Sequence, residues 1–286
     1  MPEHNYICLK GVFKKDSEPS FFPANRAFRY GDALHENIHA CATAPQFLGY
    51  HLERLFENMR LLSMEVPAFF SADFFTQLIT QLLNKNRQFG GARIRLTVFR
   101  DTVEDFVPEQ GRISFLLESQ PLAHDHYALN EKGLIADICP GFTKHTGPLS
   151  HVHDAHALLY LLAAIEGRKN SQDEVVMLNE AGRIVETPDS NIFLVSGDSV
   201  FTPDIRQGCI PGVMRRVVTE LAGAAGYRVN DQSRLTPAAL DDAEEVFLTN
   251  AVDGIRWVGA FHERRYYKRM AKILTGLLNE RAFNRI

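Results

Sequence analysis

The sequence predicts an α+β protein of two domains, and three observations carry that expectation. Stretches with period-two alternation and stretches with apolar residues every three or four positions are mixed in both halves of the chain. A polar, proline-bearing stretch, SQPLAHDHYALNEKG (119–133), interrupts that pattern near the middle. The 286 residues are enough for one large or two modest cores. The boundaries expected are a small N-terminal domain at 1–119, a linker at 120–125 and a larger C-terminal domain at 126–286.

The elements follow in order. NYICLKGVF (5–13) alternates and then meets polar turn residues, which suggests an opening strand pair. Residues 49–66 place Leu52, Leu55, Met59 and Leu62 on one helical face, and 74–84 is a second helix. ARIRLTVFR (92–100) reads as a strand with Ile94, Leu96 and Val98 on one side, and RISFLLES (112–119) as the next. After the linker come a strand at LIADICP and a helix at 156–167 ending on Gly167. Hairpins are expected at 173–186, turning at Ala181-Gly182, and at 191–202. Pro211-Gly212 opens a helix that Gly226 closes. AEEVFLTNA is a buried strand, and a final helix spans about 266 to 283.

Bulk properties narrow the function classes. Hydrophobic residues make up 45%, charged residues 23%, and the net charge is −4, so nothing in the balance recruits nucleic acid. No stretch approaches the roughly 20 apolar residues of a membrane span, and the N-terminus lacks a signal-peptide core. Cys8, Cys41, Cys139 and Cys209 are scattered without a CxxC pair, as free thiols in a reducing compartment would be. The expectation is a cytoplasmic protein with neither nucleic-acid nor membrane partner.

LSHVHDAHALLY (149–160) holds His151, His153 and His156 around Asp154. A zinc ion wants three or four converging ligands. His151 and His153 would share a face on a strand end, but His156 begins the helix and no fourth ligand is evident, so no metal is expected. Asp154 reads as the N-cap or first-turn acid of that helix.

Other segments gain meaning from their order. NRAFRYGDALHE, HLERL, ARIRLTVFR, EAGRIVETPDSNIFLV, FTPDIRQGCIPGVMR and EEVFLTNAV together resemble the class IV aminotransferase family. This is the fold-type IV group of pyridoxal phosphate (PLP) proteins: branched-chain and D-amino-acid aminotransferases and aminodeoxychorismate lyases. The resemblance runs from about residue 5 to 263. It implies a two-domain fold-type IV architecture, a site in the cleft between the domains, a homodimer, and an aminodeoxychorismate lyase-like or class IV aminotransferase-like protein acting on a small amino-acid-type substrate.

The resemblance also implies roles. Arg54 matches an arginine that forks onto the cofactor phosphate. Val213 and Met214 match the helix start whose amides hold that phosphate. Glu186 matches the acid on the pyridine nitrogen. Asn191 matches a structural asparagine, Asn250 and Ala251 a cofactor-binding segment whose third position is a hydroxyl residue in many aminotransferases, and Tyr30, His35, Arg100 and His151 the substrate pocket. Met214 and the Asn250-Ala251 pair are most similar to aminodeoxychorismate lyase. The carboxylate clamp of D-amino-acid aminotransferases should follow Arg100, but the chain reads DTVEDF there.

One residue is missing from the pattern. The family's Schiff-base lysine stands at a strand end just before a helix, and counting back from Glu186 without gaps lands on His153, or on Val152 with the aminotransferase spacing, one residue longer. Imidazole has no primary amine, although it can move protons near neutral pH. Lys144, nine residues upstream, would need a large loop rearrangement to reach in. Two further readings stay open: PLP or another anion bound noncovalently with His153 as acid/base, or a non-catalytic or PLP-independent binding or regulatory protein on the same scaffold. The acid Glu186 and Arg54 argue for retained cofactor binding.

Overall fold

The alternation of NYICLKGVF becomes a hairpin of β1 (Tyr6–Leu9) and β2 (Val12–Lys15), the first element of a computed structural model that describes residues 5–18, 20–102, 106–108 and 112–283. The elements α1 (Arg26–Tyr30), β3 (Ala33–Cys41), β4 (Ala44–Pro45), α2 (Leu48–Leu61), α3 (Ala72–Lys85), β5 (Ala92–Arg100) and β6 (Ile113–Pro121) follow. Together they make an antiparallel sheet in the order β2-β1-β6-β5-β3-β4. Ile94, Leu96 and Val98 are fully buried, as the alternation of β5 requires. Helices α2 and α3 pack on β3 and β6 and bury Leu52, Leu55, Met59, Phe75, Ile79 and Leu82. Each such side chain removed from water contributes about 1.5–3 kcal/mol.

The second series is β7 (Leu134–Thr143), α4 (Leu158–Lys169), β8 (Glu174–Leu178), β9 (Ile184–Glu186), β10 (Asn191–Ser196) and β11 (Ser199–Pro203). It continues with α5 (Val213–Ala224), β12 (Arg228–Ser233), α6 (Ala238–Asp242), β13 (Glu245–Asn250), β14 (Gly254–Phe261), β15 (Arg264–Arg265) and α7 (Arg269–Phe283). The strands form a mixed sheet in the order β12-β11-β10-β13-β14-β7-β8-β9, with β15 on β14. Phe193 and Phe247 face each other on neighbouring strands with stacked rings 5.0 Å apart.

Contacts divide the chain into two units, 1–126 with 153–156, and 127–152 with 157–286. The segment 153–156 was expected in the C-terminal domain, but it belongs with the N-terminal one. Its backbone pairs with β3 at a stretch that β4 leaves uncovered: His35 N donates to His153 O at 3.2 Å and Ala155 N to Ala33 O at 3.0 Å. Helix α4 accordingly starts at Leu158, not at 156, and no side chain caps it. Asp154 is therefore not its N-cap; Asp154 Oδ1 accepts from His156 N at 2.9 Å within the loop. His151 and His153 do not share a strand face either, because no strand runs through them.

A bulge positions the end of β7. Ile138 pairs with Val176 and Thr143 with Leu178, so five steps along β7 match two along β8. Pro140 and Gly141, the latter at φ 77°, absorb the excess. Lys144 N then donates to Leu178 O at 3.0 Å. No helix among the described residues is long and apolar enough to cross a membrane.

Candidate functional site

In the N-terminal unit, β3 buries Glu36 and α2 brings two partners to it. Arg54 forks onto the carboxylate, Nε to Oε1 at 2.9 Å and Nη2 to Oε2 at 2.5 Å. His51, one helical turn earlier, meets Oε2 through Nδ1 at 2.6 Å. Burial alone would raise the Glu36 pKa, but the Arg54 charge and the His51 hydrogen bond together outweigh it and hold the carboxyl below the usual range. Burial pushes the His51 imidazole down against the pull of Glu36, so the ring is neutral and its Nδ1–H is the donor.

His153 joins this cluster. Its Nδ1 lies 3.4 Å from Arg54 Nη2. A guanidinium only donates, so Nδ1 accepts and the ring proton sits on Nε2. The ring keeps part of its surface open, yet protein surrounds most of it. Desolvation, then the Arg54 charge, holds its pKa well below the ordinary histidine value. His35 packs against it and is pushed down to about 4, by burial first and by Arg95 second. His153 thus carries a neutral imidazole whose basic nitrogen is engaged by Arg54.

Two expected pocket residues have other roles. Arg100 donates to Asp32 Oδ2 at 3.2 Å, to Ser63 O at 3.1 Å and to Leu62 O, so it secures the turn after α2. Tyr30 lies under the Arg26 guanidinium, 5.0 Å from its ring centroid, and edge-on to Phe106. His151 is a partly exposed loop residue of the other unit. The clamp position falls partly on 103–105, outside the described residues.

In the C-terminal unit, Glu186 ends β9 opposite Met177 of β8 and is buried. Its Oε2 accepts from Ile210 N at 2.9 Å. Its Oε1 accepts from the Tyr160 hydroxyl at 2.8 Å and from Lys144 Nζ, which also meets Tyr160 at 2.5 Å. Lys144 is itself buried. The expectation that Lys144 stays out of this region is corrected: no loop has to move, because the bulge carries β7 past residue 138 and leaves Lys144 beside Glu186. Tyr160, Glu36 and His51 were not singled out from the sequence. The only cue for Tyr160 was a hydroxyl on an otherwise apolar helix.

The turn before α5 is held from below. Asn191 Nδ2 donates to Ile210 O at 2.8 Å, and a Cβ at Gly212 would overlap Asn191 Oδ1. Val213 and Met214 are buried, so only their backbone amides can serve a ligand. Asn250 shapes its own turn: Oδ1 accepts from Val252 N and Asp253 N, and Nδ2 donates to Ser190 and Asp253. Ala251 offers its carbonyl to Tyr127 at 3.5 Å.

These residues fit PLP at one end only. Helix α5 opens without a side-chain cap and without an acid in its first turn, as a phosphate needs. The ring end does not fit. A Schiff-base amine and the acid on the pyridine nitrogen address opposite ends of the ring, and they cannot touch while the ring lies between them. Here Lys144 and Glu186 are in direct contact. Among the described residues no group of three or more His, Cys, Asp or Glu is placed to hold a metal ion.

Comparison with known proteins agrees with the sequence resemblance. The family model described as amino-transferase class IV matches residues 34–261. The branched-chain-amino-acid aminotransferase-like protein 1 of Arabidopsis thaliana is 27% identical over 232 residues, 78% of this chain. The chain spans only 40% of that protein's length. The aminodeoxychorismate lyase of Bacillus subtilis is 26% identical over 250 residues, covering 86% of this chain and 83% of the lyase. Among solved structures, the branched-chain aminotransferase of the thermophilic archaeon Thermoproteus uzoniensis, crystallised with norvaline, superposes with a TM-score of 0.88 at 21% identity. The match covers 97% of this chain and 94% of the archaeal one. At that identity the likeness is one of fold, and the fold is the two-domain α+β architecture of fold-type IV PLP enzymes.

Proposed function

Because the chain belongs to the amino-transferase class IV family, we propose that His153 stands at the position of that family's lysine and that the protein is a PLP-independent relative that binds a small amino-acid-type molecule. The observation that carries this reading is His153. It has no amine, and its Nδ1 accepts from Arg54, so it supplies neither a Schiff base nor a ready proton acceptor. Likeness to aminodeoxychorismate lyases and branched-chain aminotransferases supports an amino-acid-type ligand. The family also supports a homodimer, and the four free thiols support a reducing, cytoplasmic setting.

A second reading has its own observation, the buried amine of Lys144 beside Glu186, which could supply a covalent link by leaving its present partner. One experiment separates the two. Purified protein is mixed with PLP, its visible spectrum recorded, and the mixture reduced with borohydride for peptide mass analysis. The first reading expects no site-specific adduct. A stoichiometric adduct on Lys144 overturns it in favour of the second.

A further inference from the structure

Glu186 poses a problem of charge. A carboxylate inside a protein needs a cation or a full set of donors, and removing that partner is strongly destabilising. In a PLP enzyme the protonated ring nitrogen meets that need. In this chain the need is met from within. Lys144 Nζ and the Tyr160 hydroxyl reach Oε1, and Ile210 N reaches Oε2. A carboxylate has about four acceptor positions, and three of Glu186's are filled. Lys144 also lies by the Tyr160 ring, with Nζ 5.1 Å from its centroid. Both charged side chains are almost wholly shielded, at 6% and 4% exposure.

We infer that Lys144 is the resident cation of Glu186, standing where a pyridinium nitrogen would stand, so that the chain's own side chain closes the ring site. Survival of the family's acid is therefore no sign of cofactor binding; the acid is kept because a lysine has paired with it. The means is the bulge at 139–142: Thr143 pairs with Leu178, the neighbour of the Met177 that faces Glu186, and Lys144 N donates to Leu178 O. This inference rests on the reading that no covalent cofactor is used.

The test uses pyridoxine 5'-phosphate, which has the ring and phosphate but no aldehyde, with binding followed by calorimetry on the full chain. Lys144→Ala is expected to bind at least tenfold more tightly than wild type, Lys144→Arg no better, and Lys144→Ala/Glu186→Gln to lose the gain. Equal affinity of wild type and Lys144→Ala, or a gain that survives Glu186→Gln, overturns the inference. Should Lys144→Ala fail to fold, melting temperatures of Lys144→Met, Glu186→Gln and the double variant decide instead. The double variant should melt above either single one, whereas additive losses overturn the pairing. An adduct on Lys144 in the wild type would sink the parent reading as well. A flat binding series without an adduct sinks this inference alone.

Discussion

The imidazole of His153 lies against that of His35, ring centroids 4.1 Å apart and tilted by 45°. Two histidines at that distance tolerate one another only when neutral, and both are held below their ordinary pKa, chiefly by burial. A histidine whose folded-state pKa lies below its unfolded value stabilises the fold above that unfolded value. The contribution is lost as pH falls through it.

For His35 the window runs from about 6.5 down to about 4. Glu174 acts in the opposite sense: burial lifts it to about 7, so its contribution is lost as pH rises towards neutrality. His35→Phe should therefore flatten the acid-side decline in stability, by on the order of 2 kcal/mol between pH 7 and 5. Denaturant midpoints at both pH values measure it, and parallel declines in variant and wild type would refute the assignment.

The Glu36 cluster makes a second prediction. Glu36→Gln leaves Arg54 without its buried counter-charge, at a cost of about 3–5 kcal/mol. Leu61→Ala, at an exposed site on the same helix, serves as the control. A loss under about 1 kcal/mol in Glu36→Gln, within the range of surface ion pairs, would show that Arg54 has another anchor of equal strength.

Gly212 is required by space and not by backbone, since its φ of −61° suits any residue. Gly212→Ala should lose about 1–3 kcal/mol by overpacking against Asn191. In an Asn191→Ala background the same change should cost clearly less. Equal costs in the two backgrounds would mean that the clash is relieved elsewhere.

Thiol chemistry gives a fourth. Burial, with Glu186 nearby as the second cause, pushes the Cys209 thiol up to about 12, and Cys8 and Cys139 are buried too. Native protein at pH 8 should react rapidly with Ellman's reagent at one thiol, Cys41, and release the other three only on unfolding. Rapid labelling of Cys209 would place solvent where the structure has packing.

Most of the fold was legible wherever one face is wet. β5 and the hairpin at Ala181-Gly182 declare themselves by alternation and turn chemistry. β3 does not, because ALHENIHAC is buried on both faces and carries His35, Glu36 and His39 inside, which erases its period. Glu186 and Arg54 were singled out by resemblance. Their present partners were not: Lys144 depends on a bulge that no local pattern announces, and His153 on an edge of β3 that only the assembled sheet exposes.

That bulge makes the placement of Lys144 a matter of counting. Thr143, which pairs with Leu178, lies directly before Lys144, so a change in length within 139–142 is taken up by the bulge, whereas a residue added after Thr143 moves the amine away from Glu186. A chain with a residue added there has the lysine without the pairing, and its acid must find another companion.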